Sequence, residues 1–209
     1  MKTAVYENLR YRIITQELRP GEQLNERKLM DTYEIGRTPL REILIELHRD
    51  GLIRRFPRSG TFVAQLDFHF FKEVIEIRIN LESFAAQLAA TRITSQQIQR
   101  LKKILQRVDA LQASDDVNLE ALTQCEFEFH DTLYEATQNQ KLVGILNELH
   151  GISARFWHYL VFGQQELKDQ FIDLRKVYHA MFERDPESAR SAMETHIQNF
   201  VEKVRDMIV

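Results

Sequence analysis

The apolar positions near the start of the chain repeat with a helical period. Val5, Leu9 and Ile13 are spaced four residues apart, which predicts an amphipathic helix over about residues 4–17. A second helix follows Asn25, because an asparagine side chain at that position can accept a bond from a free backbone amide at the helix start. The first third of the chain therefore opens with two helices.

A third helix and two short strands complete this part of the chain. The helix begins near Thr38 and Pro39, since proline fits the first turn of a helix. Its apolar stripe is formed by Leu40, Ile43, Leu44 and Leu47. Apolar residues in 52–56 and 61–65 then predict two strands around a turn at Gly60. Three helices followed by a hairpin predict a winged helix-turn-helix in residues 1–67.

The remaining residues, 68–209, predict an all-α bundle of about six helices. Helical stripes are interrupted near residues 94–95, 113–117, 139, 163 and 185–186. The chain has only 7 Gly and 4 Pro, and residues 61–143 contain neither. Such a stretch cannot supply the tight turns of a sandwich or barrel. The predicted fold is mostly α, with an N-terminal winged helix-turn-helix followed by an all-α helical bundle.

Composition and charge indicate the cellular compartment in which the protein is expected. The net charge is −3, with 12 basic and 10 acidic residues in positions 1–67 and 16 basic and 21 acidic residues after them. No apolar run approaches the ~20 residues that span a bilayer, and the N-terminus has no signal-peptide core. The single cysteine, Cys125, cannot build a disulfide framework. We therefore expect a cytoplasmic protein without membrane contact.

Arginines at the start of the third helix are candidates for reading DNA. In a winged helix-turn-helix this helix enters the major groove with its first residues at the base edges. Those residues are Arg37, Thr38 and Arg41, and an arginine fork can bond O6 and N7 of guanine together. Arg27, at the start of the preceding helix, could hold a phosphate. The alternative is a small helical domain with ordinary surface arginines.

Ionisable residues interrupt the apolar stripes of three helices in the second part. They are Arg78 with Glu82 in the first helix, Glu126 with His130 in the third, and His196 in the last. Buried charges are costly unless they are paired or bind a metal. Their recurrence on three helices favours one shared polar cavity. Separate local pairs, such as Arg78 with Glu82 across one turn, are the alternative.

The first part resembles the DNA-binding signature of the GntR family. The landmarks are PGEQLNE, then RTPLREILIEL, then DGL, then the glycine-tipped wing before a valine. The resemblance implies that the operator is contacted by Arg27, Arg37, Thr38 and Arg41, with Ser59 and Gly60 at the wing. Gly36 departs from the Ser or Thr usual in the family, which removes a hydroxyl that would cap the helix or touch a phosphate.

The second part resembles the FCD effector domain of the FadR subfamily, in its six-helix VanR-like version. The matching segments are EIRINLESFAAQLAA, EFEFHDTLYEATQNQKL and DPESARSAMETHI. Many such domains hold a divalent metal with one Asp and three His, and the metal helps to bind a small organic acid. The resemblance carries the ligand roles to Glu126, His130 and His196. The fourth ligand falls on Leu174, and His179 lies on a different face of that helix.

Together these expectations describe a transcription regulator controlled by a metabolite. As a homodimer it would bind an inverted-repeat operator in double-stranded DNA, and a small carboxylate held by Arg78 would control it, with repression the commoner behaviour in the family. Three ligands could hold zinc or nickel weakly, or the histidines could bond an effector directly. The rival classes are a metal-dependent helical enzyme using Glu126, His130 and His196, and a helical adaptor without a ligand. The other histidines, including His150, are expected to be surface or packing residues.

Overall fold

The structure is a computed structural model that describes residues 2–114, 118–160 and 164–208, without the side chains of 164–167 and 206–208. The chain forms two compact units. The first contains residues 1–74 and 148–161, and the second contains residues 75–147 and 162–209. Two long helices, α4 (Phe68–Arg92) and α7 (Gln140–Tyr159), contribute residues to both units. No helix of the described residues is long and apolar enough to cross a membrane.

The first unit contains the three predicted helices and a small sheet. Its elements are α1 (Lys2–Ile14), β1 (Gln23–Leu24), α2 (Glu26–Tyr33), α3 (Arg37–Arg49), β2 (Ile53–Phe56) and β3 (Gly60–Val63). The predicted apolar stripes of α1 and α3 are buried and form the core of this unit. The winged helix-turn-helix predicted from the sequence is confirmed in its elements, with α1 ending three residues earlier than expected.

The sheet has one more strand than the predicted hairpin. Its order is β1-β3-β2, and both pairs are antiparallel. In the hairpin Ile53 pairs with Val63 and Phe56 with Gly60, while Gln23 of β1 pairs with Phe62. A strand of two residues is too short to show an alternating pattern, so β1 was not predicted.

The second unit is helical throughout its described residues. Besides parts of α4 and α7 it contains α5 (Ser95–Gln112), α6 (Leu119–Ala136), α8 (Gln164–Phe182) and α9 (Pro186–Ile208). Helix α8 packs against α5, α6 and α9, and α5 packs against α6. The apolar faces of α6 and α9 are buried and belong to the core of this unit.

Side-chain caps account for the positions of the helix breaks. Thr94 and Gln97 form a capping box at the start of α5, and Asn118 accepts a bond from the Ala121 amide at the start of α6. Asp185 accepts a bond of 3.1 Å from the Ser188 amide and caps α9 in the same way. The predicted breaks at residues 115–117 and 163 lie outside the described residues.

Candidate DNA-binding surface and buried charge cluster

Exposed arginines line a groove on the winged-helix unit, which we call the arginine groove. It has a volume of about 520 Å³ and is lined by Glu26, Arg27, Met30, Arg37, Thr38, Leu40, Arg41 and Arg55. The four residues predicted to contact DNA from α2 and α3 therefore share one concave surface. The side chains of Arg37, Thr38 and Arg41 are exposed because the opposite face of α3 is buried in the core.

Local backbone geometry presents the starts of α2 and α3 at this surface. Asn25 accepts a bond of 2.9 Å from the Lys28 amide and so fixes the first turn of α2. Gly36 precedes α3 in an extended conformation, and no side chain caps that helix start. Its backbone amides there are consequently available to an anion, as at other uncapped helix starts.

The wing residues lie at the β2–β3 turn and do not line the arginine groove. Ser59 and Gly60 are both exposed, and the Gln23 side-chain amide donates a bond of 3.1 Å to the Ser59 carbonyl. Gly60 has a φ of +114°, and a Cβ built there would lie 2.9 Å from Nε2 of Gln23. This position therefore requires glycine.

Arg55 is a groove residue that the sequence did not single out. It lies on β2, and its place in the groove depends on how the sheet packs beside α2 and α3. The excess of arginine between residues 37 and 58 was the available signal, but spacing along a strand does not show which arginine reaches a neighbouring helix.

In the second unit, ionisable side chains of α4 and α6 form a buried cluster. Nε of Arg78 contacts Oε1 of Glu82 one turn along α4, and both side chains are buried. His130 lies between two carboxylates, with Nδ1 3.4 Å from Oε2 of Glu82 and Nε2 3.3 Å from Oε1 of Glu126. Arg78 and Glu82 thus form the local pair that the sequence offered as one alternative, and Glu82 also approaches His130 of α6.

Helix α9 and a third residue of α6 complete the buried cluster. The rings of His130 and His196 have centroids 5.5 Å apart. The Tyr134 hydroxyl lies 3.3 Å from Nδ1 of His130, and this tyrosine is fully buried. Tyr134 was missed because it stands one turn after His130 on an apolar face, where an aromatic residue usually belongs to the core. We call Arg78, Glu82, Glu126, His130, Tyr134 and His196 the buried charge cluster.

The two histidines of the buried charge cluster differ in charge. Burial opposes protonation of His130, but Glu126 and Glu82 outweigh it and raise the pKa of His130 to about 9. Burial and the neighbouring charge of His130 lower the pKa of His196 to about 3. At neutral pH His130 is therefore a cation and His196 is neutral.

Metal-ligating atoms are also close together in this region. Nε2 of His130 and Oε1 of Glu126 are 3.3 Å apart, so this pair could contribute two ligand atoms to a metal site. His150, in the first unit, is buried. Leu174, at the position where the family resemblance implies a ligand, is buried on α8.

His196 has a feature that suits a metal ligand or a hydrogen-bonding ligand. Among the side chains that the structure describes, its Nδ1 is buried without a hydrogen-bond partner. A buried polar atom without a partner is unfavourable, and a neutral imidazole nitrogen is the form that binds metals. The residue types present therefore fit a divalent cation, with Glu126, His130 and His196 as donors.

Comparison with known proteins identifies both parts of the chain. The family model of bacterial regulatory proteins of the gntR family matches residues 1–63, and the model of the FCD domain matches residues 73–199. The chain is 23% identical over 207 residues to the uncharacterized HTH-type transcriptional regulator YdhC of Bacillus subtilis, covering 97% of this chain and 90% of YdhC.

Two further relatives extend over almost the whole chain. The HTH-type transcriptional repressor RspR of Escherichia coli is 27% identical over 209 residues, covering 97% of this chain and 88% of RspR. Among solved structures, E. coli McbR/YncC superimposes with a TM-score of 0.86 at 21% identity, covering 100% of this chain and 98% of that one. The structural likeness establishes the fold, and the family models establish the class of protein.

These matches decide between the classes that the sequence left open. The matched families are those of transcription regulators, so the alternative of a metal-dependent enzyme is set aside. The predicted combination of a winged helix-turn-helix with an FCD domain is confirmed. The chain belongs to the GntR family of bacterial transcription regulators, in the FadR-type subfamily with an FCD domain, and is a DNA-binding regulator of the HTH type.

Proposed function

We propose that this regulator is a dimeric repressor that releases an inverted-repeat operator when a small carboxylate binds in the buried charge cluster. The observation that carries the proposal is the pairing of an exposed arginine groove with a buried cluster of ionisable groups in one chain. The relative RspR is described as a repressor, which supports this direction of control.

Operator recognition is assigned to the arginine groove. Arg37 and Arg41 stand one turn apart at the start of α3, where a recognition helix meets base edges. Arg27 and Arg55 approach from α2 and β2 and are suited to phosphates. Ser59 and Gly60 bring the wing backbone to the DNA without a bulky side chain.

Effector binding is assigned to the buried charge cluster because of its charge balance. The charges of Arg78 and protonated His130 balance those of the Glu82 and Glu126 carboxylates. A divalent metal in place of the proton on His130 would leave one net positive charge. A carboxylate ligand would neutralise that charge, so metal binding and carboxylate binding favour each other.

The metal, zinc or nickel in this proposal, would be held by Glu126, His130 and His196. It would supply a Lewis-acidic point for the carboxylate oxygens. Arg78 would orient the same carboxylate through its planar fork, since its guanidinium reaches Glu82 through Nε and lies over the Phe200 ring at 5.8 Å.

Dimerisation is assigned to the outer face of α4. Ile77 and Phe84 are seven residues apart on that helix and remain 51% and 41% exposed. Two turns of helix place them on one face, where they form an apolar stripe that a second copy could cover.

The double substitution Ile77→Asp with Phe84→Asp should give a monomer in light scattering. Ile172→Asp, at an exposed position on α8, is the control that should leave the dimer intact.

The DNA assignment is tested by binding to the DNA upstream of the regulator's own gene. We expect Arg37→Ala and Arg41→Ala each to weaken binding in a gel shift. Arg100→Gln, on the surface of α5, is the matched control that should not change binding. Unchanged affinity in both groove variants would show that the arginine groove does not read the operator.

The effector assignment is tested by ligand-induced release of the protein from DNA, followed by fluorescence anisotropy. The probes are acetate, succinate and citrate, each with and without nickel. Arg78→Lys keeps the positive charge but loses the planar fork, so it should need a higher concentration of any active acid. An equal response of Arg78→Lys and the unaltered protein would remove Arg78 from the effector site.

A further inference from the structure

A second polar pocket lies in the winged-helix unit, away from the arginine groove. It has a volume of about 220 Å³ and borders the segment that follows β3, the start of α4 and the last turns of α7. Two of its lining residues are arginines, Arg54 from β2 and Arg155 from α7. Neither the proposed operator contacts nor the buried charge cluster includes these residues.

Arg155 is an unusual arginine because it is buried and pairs with no carboxylate among the described residues. Its side chain is only 3% exposed, and its Nη2 donates to the backbone carbonyl of Ala64. Its Nε has no hydrogen-bond partner among the described side chains and backbone. Burial alone lowers the pKa of Arg155 to about 10, with no compensating negative charge. A guanidinium in this state has unused capacity for an anion.

The acidic residues of the pocket are already engaged with other groups. Oδ1 of Asp67 accepts bonds of 2.9 Å and 3.2 Å from the amides of His69 and Phe70 and so caps α4. Glu73 lies 3.6 Å from the His69 ring. Arg54 is exposed and makes no ion pair within the part of the chain that the structure describes. The pocket therefore presents two guanidinium groups without carboxylate partners.

We propose that Arg155 and Arg54 form an anion site for a small oxyanion, such as a phosphate or a short-chain carboxylate. Arginine forks bind such groups through two parallel hydrogen bonds, and a volume of about 220 Å³ accommodates only a molecule of a few heavy atoms. The bound anion would supply the partner that Nε of Arg155 lacks. It would also fix the segment from Ala64 to Asp67, which leads from the wing into α4.

The experiment follows the Nε–Hε resonance of Arg155 in the full-length protein by ¹⁵N NMR. Inorganic phosphate and acetate are titrated separately against sodium chloride at matched ionic strength. We expect a saturable shift of this resonance with at least one of the two anions. A response to phosphate alone assigns a phosphate site, and a response to acetate alone assigns a carboxylate site.

Two variants make the test specific to this pocket. Arg54→Gln, at an exposed position, should weaken the anion affinity by roughly tenfold or more, the effect of losing a charged hydrogen bond. Arg19→Gln, an exposed arginine that does not line the pocket, should leave it unchanged. Arg155→Lys identifies the resonance, and if that variant does not fold, Arg54→Gln still decides the question. No saturable shift with either anion, or equal affinity in Arg54→Gln, would overturn the proposal.

Discussion

The arginine groove and the buried charge cluster use the same residue types in opposite ways. In the arginine groove, Arg37 and Arg41 are exposed, so their charges are available to a partner that arrives from solvent. In the buried charge cluster, Arg78 and His130 are already compensated by carboxylates and shielded from water. A ligand there must replace an existing partner or proton, whereas DNA at the groove needs only to displace water and ions.

The largest expected effect is on the free energy of unfolding, and it distinguishes the buried charge cluster from the arginine groove. Arg78→Met removes a buried cation from beside Glu82, and breaking a buried pair in this way costs about 3 kcal/mol. Arg41→Ala removes an exposed charge and should change the free energy of unfolding by less than about 0.5 kcal/mol. Urea denaturation of both variants measures the contrast.

The double variant Arg78→Met with Glu82→Leu serves as the control for that prediction. Replacing both members of the pair by apolar groups leaves no uncompensated carboxylate beside α6, so most of the lost stability should return. If the single and double variants lose the same stability, the loss comes from packing rather than from charge.

The next effect is on DNA affinity and distinguishes residues within the arginine groove. Arg41→Ala should cost about 1–3 kcal/mol of binding and relax base preference at one operator position. Arg27→Ala should weaken binding to all sequences alike and reduce the salt slope by about 0.9. Anisotropy titrations on wild-type and single-base operator variants, at several salt concentrations, give both quantities. A base-specific loss in Arg27→Ala would reverse the two assignments.

The third prediction concerns metal binding. It tests a variant that carries histidine at position 174, where the family resemblance implies a ligand. Leu174→His places an imidazole in a buried apolar site and should cost the metal-free protein roughly 1–3 kcal/mol. Nickel should then stabilise this variant more than the unaltered protein, because a further donor strengthens the site. Thermal unfolding with and without nickel measures the difference.

Val177→His is the matched control for the metal prediction. Val177 is also buried on α8, three residues along, so the substitution carries a similar penalty without the implied ligand position. Equal nickel stabilisation of the two variants would show that the inherited position does not apply to this helix.

The sequence predicted those features that depend on local spacing. The stripe from Leu40 to Leu47 determines which side of α3 is buried, so the exposure of Arg37 and Arg41 followed from one helix pattern. The polar residues on buried faces were identifiable in the same way, because Arg78 and His196 interrupt apolar stripes.

Features that depend on the packing of separate elements were not predictable. β1 forms only because Gln23 and Leu24 pair with residues more than 35 positions later. Arg55 enters the arginine groove through the packing of the sheet. Tyr134 contacts His130 one turn away on α6, but an aromatic residue on an apolar face does not show that its hydroxyl meets a charged group. Of the two carboxylates beside His130, Glu126 lies one turn away on the same helix, whereas Glu82 reaches it from α4 through tertiary packing.

The smallest effect lies at the junction between fold and DNA recognition, at Gly36. Gly36 occupies the N-cap position of α3 in an extended conformation. A Cβ built there would meet only Cδ of Pro39, at 3.9 Å. Gly36→Ser therefore fits without strain, and its hydroxyl should raise the free energy of unfolding by a few tenths of a kcal/mol. Gly36→Ala is the control that should lower it, since alanine lacks the hydroxyl and is a poor cap. If serine stabilises the protein but leaves DNA affinity unchanged, the hydroxyl acts as a cap; if affinity rises by more than stability, it contacts the operator backbone.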